Sequence, residues 1–123
     1  LAQGEKLRCV SYAPFHRPGQ TPFDETLTIP RQQIEEDLRA LAALTDCVRT
    51  YSTNMGLNQV SEVASALGLK VLLGAWIGYD QEKNTAELER AMAVSVCLRL
   101  WYFCASVIDA RKGESRVDQM RGL

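Results

Sequence analysis

The chain has 123 residues, 46% of them apolar and 24% charged, with 14 Lys+Arg against 15 Asp+Glu. That is room for one ordinary globular domain and excludes a disordered tract. A net charge of −1 gives no electrostatic case for nucleic acid or for an anionic membrane surface. One histidine, His16, excludes His-rich metal sites, and four cysteines are too few for a disulfide scaffold. Cys9, Cys47, Cys97 and Cys104 form no C-x-x-C pair. They are expected as small buried hydrophobes or inert thiols, without zinc or redox roles. The chain begins at Leu1 with no signal-peptide pattern, and is expected to be a processed product or a fragment.

In chain order, Leu7 to Tyr12 (LRCVSY) reads as a short strand. A long loop, broken by Pro14, Pro18, Gly19, Pro22 and Pro30, leads to a helix over Arg31 to Leu44. Ile34, Leu38, Leu41 and Ala42 make one apolar stripe on that helix. Glu35, Glu36 and Asp37 read as a solvated helix start facing the positive end of the helix dipole. Cys47 to Tyr51 predicts a second strand. Leu57 to Leu67 predicts a second helix, with Val60, Val63, Ala64 and Leu67 on one face and Gly68 ending it. Lys70 to Trp76 (KVLLGAW) is a nearly continuous apolar run, as in a parallel strand buried on both faces. A third helix is expected from Asn84 to Met92, with Asn84 as cap and Glu87 completing a near capping box.

Three strand–helix alternations predict an α/β fold with parallel strands. The chain is expected to divide at about residue 93 into this part and a divergent tail, 94–123, of a frame-shifted or truncated product. Ala91 to Ile108 holds 18 residues with one charge, Arg99, at the lower limit for a membrane span. A central arginine opposes insertion by about 2.5–3.5 kcal/mol, so a buried helix end followed by a strand is expected.

Parallel βα folds bind ligands at the carboxyl ends of their strands. The first strand delivers Tyr12 and then His16, Arg17, Asp24 and Glu25. The second delivers Arg49, Tyr51 and Ser52, and the third Trp76, Tyr79 and Asp80. Aromatic faces suit the apolar faces of sugar rings, so Tyr12, Tyr51 and Trp76 are candidate ligand contacts or rim packing. Arg49 either pairs with a buried carboxylate or points into the site. His16 reads as a surface loop histidine, and adjacent Asp24 and Glu25 as an unsuitable catalytic pair. There is no G-x-G-x-x-G, P-loop, G-x-S-x-G or H-E-x-x-H motif.

CVSYAPF, RPGQ, VRTYS and GLKVLLGAW, in this order between these helices, resemble the start of glycoside hydrolase family 17-like proteins of bacteria. These are relatives of β-1,3-glucanases and β-glucan glucosyltransferases. The resemblance covers about residues 5–92. It implies the first three to four units of a (β/α)8 (TIM) barrel, retaining chemistry on β-1,3-glucan or an oligosaccharide, and no cofactor or metal. Tyr12, Arg49, Tyr51 and Trp76 would line the sugar cleft. It also suggests the cell envelope or a membrane-associated setting. Retaining hydrolysis needs two carboxylates about 5–5.5 Å apart. The family carries its acid/base in a G-N-E segment ending strand four and its nucleophile near strand seven. Neither is present: near residue 105 the chain reads LRLWYFCASVIDARKG. No catalytic residue is therefore assigned, and the expectation is an inactive N-terminal part of a longer enzyme. The alternative is a small β-glucan-binding module. Self-association through open sheet edges is expected of the first.

Overall fold

The computed structural model describes residues 4–98, 103–109 and 114–115, with side chains from 4 to 95. The elements run β1 (Val10–Ser11), α1 (Arg31–Ala42), β2 (Cys47–Arg49), α2 (Val60–Ala66), β3 (Lys70–Ile77), α3 (Gln81–Leu98), β4 (Phe103–Asp109) and β5 (Glu114–Ser115). A single 3₁₀ turn, Leu57–Gln59, leads into α2. The α/β class and the parallel pairing are as expected. β1, β2, β3 and β4 lie side by side in chain order and all in parallel, and β5 folds back antiparallel on β4.

Each stripe read from the sequence meets this sheet. Ile34 and Leu38 of α1, Val60, Val63 and Ala64 of α2 and Ala91 of α3 join Val48, Val71, Leu73 and Ala75 in one buried cluster. Residues of all three helices share this cluster with Val48, Val71, Leu73 and Ala75, so the helices pack on the same face of the sheet. Side chains alternate along a strand. Val71, Leu73 and Ala75 therefore face the helices and are buried, while Lys70 and Trp76 face away and are exposed. β3 is thus buried on one face, not on both as its apolar run suggests.

Other expectations change with the tertiary contacts. β1 keeps only two ladder residues, because it pairs on one side alone; Leu7 adds an isolated bridge to Thr45. α3 starts three residues before Asn84. Asp80 precedes it and accepts hydrogen bonds from the Glu82 and Lys83 N–H groups, which is the capping role expected of Asn84. Gly68 ends α2 as expected, with φ +77°. α3 crosses position 93 and β4 pairs with β3, so the chain beyond 93 continues the sheet. Among the described residues no helix is long and apolar enough to cross a membrane.

The expectation of inert thiols is wrong for two of the cysteines. Val10 pairs with Val48, which sets Cys9 opposite Cys47, and the two form a disulfide with Cα atoms 4.3 Å apart. Pairing depends on register between strands far apart in sequence, so spacing along the chain carried no sign of it. The side chains of Cys97 and Cys104 lie outside the described residues.

The chain just past β2 approaches the middle of β3 closely. A Cβ on Gly74 would stand 2.2 Å from the Thr50 carbonyl oxygen, and the Gly74 N–H donates to Thr50 Oγ1 at 3.2 Å. Only glycine fits there, which explains the break in an otherwise bulky run.

Candidate functional site

Alternation and register sort the candidate residues onto two faces. Ser11 pairs with Arg49, and Arg49 with Leu72. Arg49, Tyr51, Leu72 and Trp76 therefore share the face without helices. The Tyr51 hydroxyl donates to Ser11 Oγ at 2.7 Å, and the Arg49 guanidinium carbon lies 5.1 Å from the Tyr51 ring centre. That stacking is a cation–π contact. Arg49 makes no ion pair among the described residues. Trp76, at the carboxyl end of β3, is 48% exposed. The structure thus brings Arg49, Tyr51 and Trp76 onto one open surface.

Tyr12 goes to the other face. It is buried, and its hydroxyl donates to Asp37 Oδ2 at 2.8 Å on α1. Burial first, then the bond to Asp37 and its charge, pushes the Tyr12 hydroxyl well above the usual tyrosine range. The unfolded chain releases this proton near pH 10.0, whereas the folded chain holds it. Stability is therefore intact below that pH and falls as pH rises above it, by up to about 1.4 kcal/mol per pH unit. Urea titrations on either side of that pH check this, and Tyr12→Phe is expected to remove most of the alkaline loss.

Asp37 is not a solvated helix start. His16 Nε2 lies 2.9 Å from its Oδ1, and Gln33 Nε2 donates to the Pro14 carbonyl at 2.8 Å and to Gln20 Oε1 at 3.0 Å. These contacts bind the start of the long loop to α1. Glu35 and Glu36 pair with Arg31 and Arg17, and α1 has no acid in its first turn. Asp24 accepts from Thr26 within its own turn, and Glu25 pairs with Lys83. Neither acid of that pair is free for proton transfer.

The carboxylate that organises the site was missed as such. Glu87 is buried on α3 and does not reach back to cap its helix. Its Oε1 accepts the Thr53 N–H at 2.7 Å and the Trp76 N–H at 3.1 Å. Its Oε2 accepts Ser52 Oγ at 3.1 Å and pairs with Arg90 at 3.0 Å. One side chain thus fixes the carboxyl ends of β2 and β3, and with them the backbone that presents Trp76. Asn84, beside it, bonds both the N–H and the carbonyl of Gly78 at 2.8 and 2.9 Å. The only sequence sign was Glu87 four residues before Ala91 on the packed side of a helix.

Chemically, the open face offers stacking surfaces, hydroxyls and one guanidinium. It carries no carboxylate among the described residues Ser11, Arg49, Tyr51, Lys70, Leu72, Gly74 and Trp76. No group of three potential metal ligands lies together among the described residues. Comparison with known proteins finds no matching family model, no matching curated protein and no matching solved structure.

Proposed function

We propose that the chain is the N-terminal part of a glycoside hydrolase family 17-like (β/α)8 barrel, holding β-1,3-glucan at the carboxyl ends of its strands without cleaving it. The observation that carries this reading is the grouping of Arg49, Tyr51 and Trp76 on one face that no described helix covers, where successive parallel strands end. Tyr51 and Trp76 supply ring faces for pyranose C–H surfaces, and Arg49 supplies donors to sugar hydroxyls. Tyr12, buried against Asp37, holds the strand end and does not touch sugar. β4 lies where the resemblance puts strand four, but the segment carries no G-N-E. Without the paired carboxylates, neither protonation of the leaving oxygen nor nucleophilic attack has a residue to perform it.

Calorimetric titration with laminarin tests the proposal. Weak binding is expected, weakened at least about tenfold by Trp76→Ala or Tyr51→Ala; that corresponds to about 1.4 kcal/mol. Unchanged affinity in both variants rejects it. No reducing sugar is expected to be released, and release abolished by Trp76→Ala would overturn the non-catalytic part.

A second reading, a self-contained glucan-binding module, is favoured by β5. It pairs antiparallel with β4, where a barrel would add another parallel strand. A sharp, reversible unfolding transition of a monomer supports the module. Aggregation or concentration-dependent association supports the barrel part, whose β1 edge stays unpaired.

A further inference from the structure

The Cys9–Cys47 disulfide lies on the face of the sheet that no described helix covers. Val10 pairs with Val48 across one ladder, and Cys47 with Lys70 across the next. Val48 and Val71 are buried under the helices, so Cys47 and Lys70, each one step out of phase with them, point the other way. Cys9, bonded to Cys47, shares that face. The bond closes a ring of chain that holds α1 and the loop before it, a strap over residues 12–30.

Cations border the bond. Lys70 stands beside Cys47 on the neighbouring strand, and paired strands run about 4.8 Å apart. Arg8 precedes Cys9 in the chain, and Arg49 lies two residues beyond Cys47 on the same face. None of the three makes an ion pair among the described residues. Arg49 stacks on the uncharged Tyr51 ring, which leaves its positive charge uncancelled. The adjacent acid, Asp46, is already 3.4 Å from Lys6 Nζ. The disulfide therefore sits in a positive surround.

Its two sulfurs are not equivalent. Cys9 is exposed and Cys47 half-buried. A thiolate arriving from solvent meets Cys9 first, and the sulfur it displaces is the one beside Lys70. A neighbouring cation favours the thiolate form of a cysteine and so makes its sulfur a better leaving group. Cys47 is also held in place, by its ladder to β3 and by its N–H, which donates to Thr45 Oγ1 at 3.3 Å.

We propose that this disulfide is an exchange site for small anionic thiols, which bond to Cys9 and expel Cys47. The incoming thiolate forms a bond to Cys9 Sγ. The Cys9–Cys47 bond breaks, and its electron pair leaves with Cys47 Sγ, which takes up the proton the incoming thiol gave up. A second thiol, attacking the sulfur of the first, releases Cys9. Two small thiols are then oxidised to one disulfide, and the chain is reduced by two electrons. The positive surround draws anionic thiols to the site, an attraction that salt screens. None of this depends on the glucan reading.

The test follows loss of the bond in the full, folded chain with glutathione, which is anionic, and with cysteamine, which carries an ammonium. Rates are expressed per thiolate. Glutathione is expected to react at least about fivefold faster in low salt, with the gap closing near about 1 M salt. Lys70→Gln should slow glutathione at least about threefold, and Lys70→Arg, which keeps the charge, should retain the rate. Peptide mapping of acid-quenched samples should find the first adduct on Cys9, with Cys47 free. A first adduct on Cys47, a rate unchanged in Lys70→Gln, or no preference between the two thiols overturns the inference. So does a folded chain that does not react, or that reacts at a rate independent of thiol concentration, because local opening would then have to precede attack.

Discussion

Reducing the Cys9–Cys47 bond is expected to lower the unfolding free energy by about 4 kcal/mol, the chain-entropy value for closing a loop of this size. The bond joins residues 38 apart in sequence, and the loop so closed contains the whole strap and α1. Otherwise β1 is held by hydrogen bonds, among them Tyr12 N–H to the Arg49 carbonyl at 2.8 Å and the Tyr51 hydroxyl to Ser11. Its ladder to β2 has two residues, supplemented by the Leu7–Thr45 bridge and the Thr45 hydroxyl bond to the Leu7 carbonyl at 2.9 Å. Cys9 is exposed and Cys47 half-buried, so a small thiol reductant reaches the bond without prior unfolding. Chemical denaturation with and without reductant measures the loss, and Cys9→Ser should reproduce it and abolish the response to reductant. A midpoint unmoved by reductant, in a chain whose free thiols have been shown to appear, counts against the bond's role. Limited proteolysis should locate the loosening, with new cleavage in the strap ahead of cleavage in α2.

Glu87→Ala is expected to cost about 4 kcal/mol. Two main-chain N–H groups, of Thr53 and Trp76, lose their acceptor at a buried position, and each such loss costs about 1–3 kcal/mol. Arg90 loses its partner as well, although it is partly exposed and contributes less. Glu87→Gln is the informative comparison. An amide oxygen still accepts the two N–H groups, but the amide nitrogen cannot accept from Ser52 or Arg90, so about half the loss should return. A stability for Glu87→Ala within about 1 kcal/mol of the unaltered chain would show that the strand ends hold without it. In Glu87→Gln, glucan affinity should stay close to that of the unaltered chain, because Trp76 keeps its main-chain anchor.

These two effects also mark where sequence reading stops. The helices were legible because their stripes repeat over several turns, so Ile34 and Leu38, or Val60 and Ala64, declare one buried side regardless of what covers it. The parallel sheet followed from alternation of strand and helix. What escaped was set by partners distant in sequence. Cys9 meets Cys47 only through the Val10–Val48 register. Glu87 serves N–H groups 34 and 11 residues before it. Asn84 looked like a cap because caps are local, but Asp80 holds that position and frees Asn84 to bind Gly78. Among the site residues, the carboxyl-end rule selected Tyr12, Arg49, Tyr51 and Trp76 together. The two-residue period of the strands then divides them, with Tyr12 one step out of phase with its neighbour Ser11.

That division has a further meaning for how such a chain can change. β2 and β3 are written in two interleaved texts. Val48, Val71, Leu73 and Ala75 spell out the adhesive layer under the helices; Arg49, Tyr51, Leu72 and Trp76 spell out the outward surface. Because Glu87 braces the strand ends from the helix layer through main-chain groups, it is indifferent to which side chains stand on the outward surface. A lineage or an experimenter can therefore rewrite much of the second text, Gly74 excepted, while the first keeps the sheet assembled.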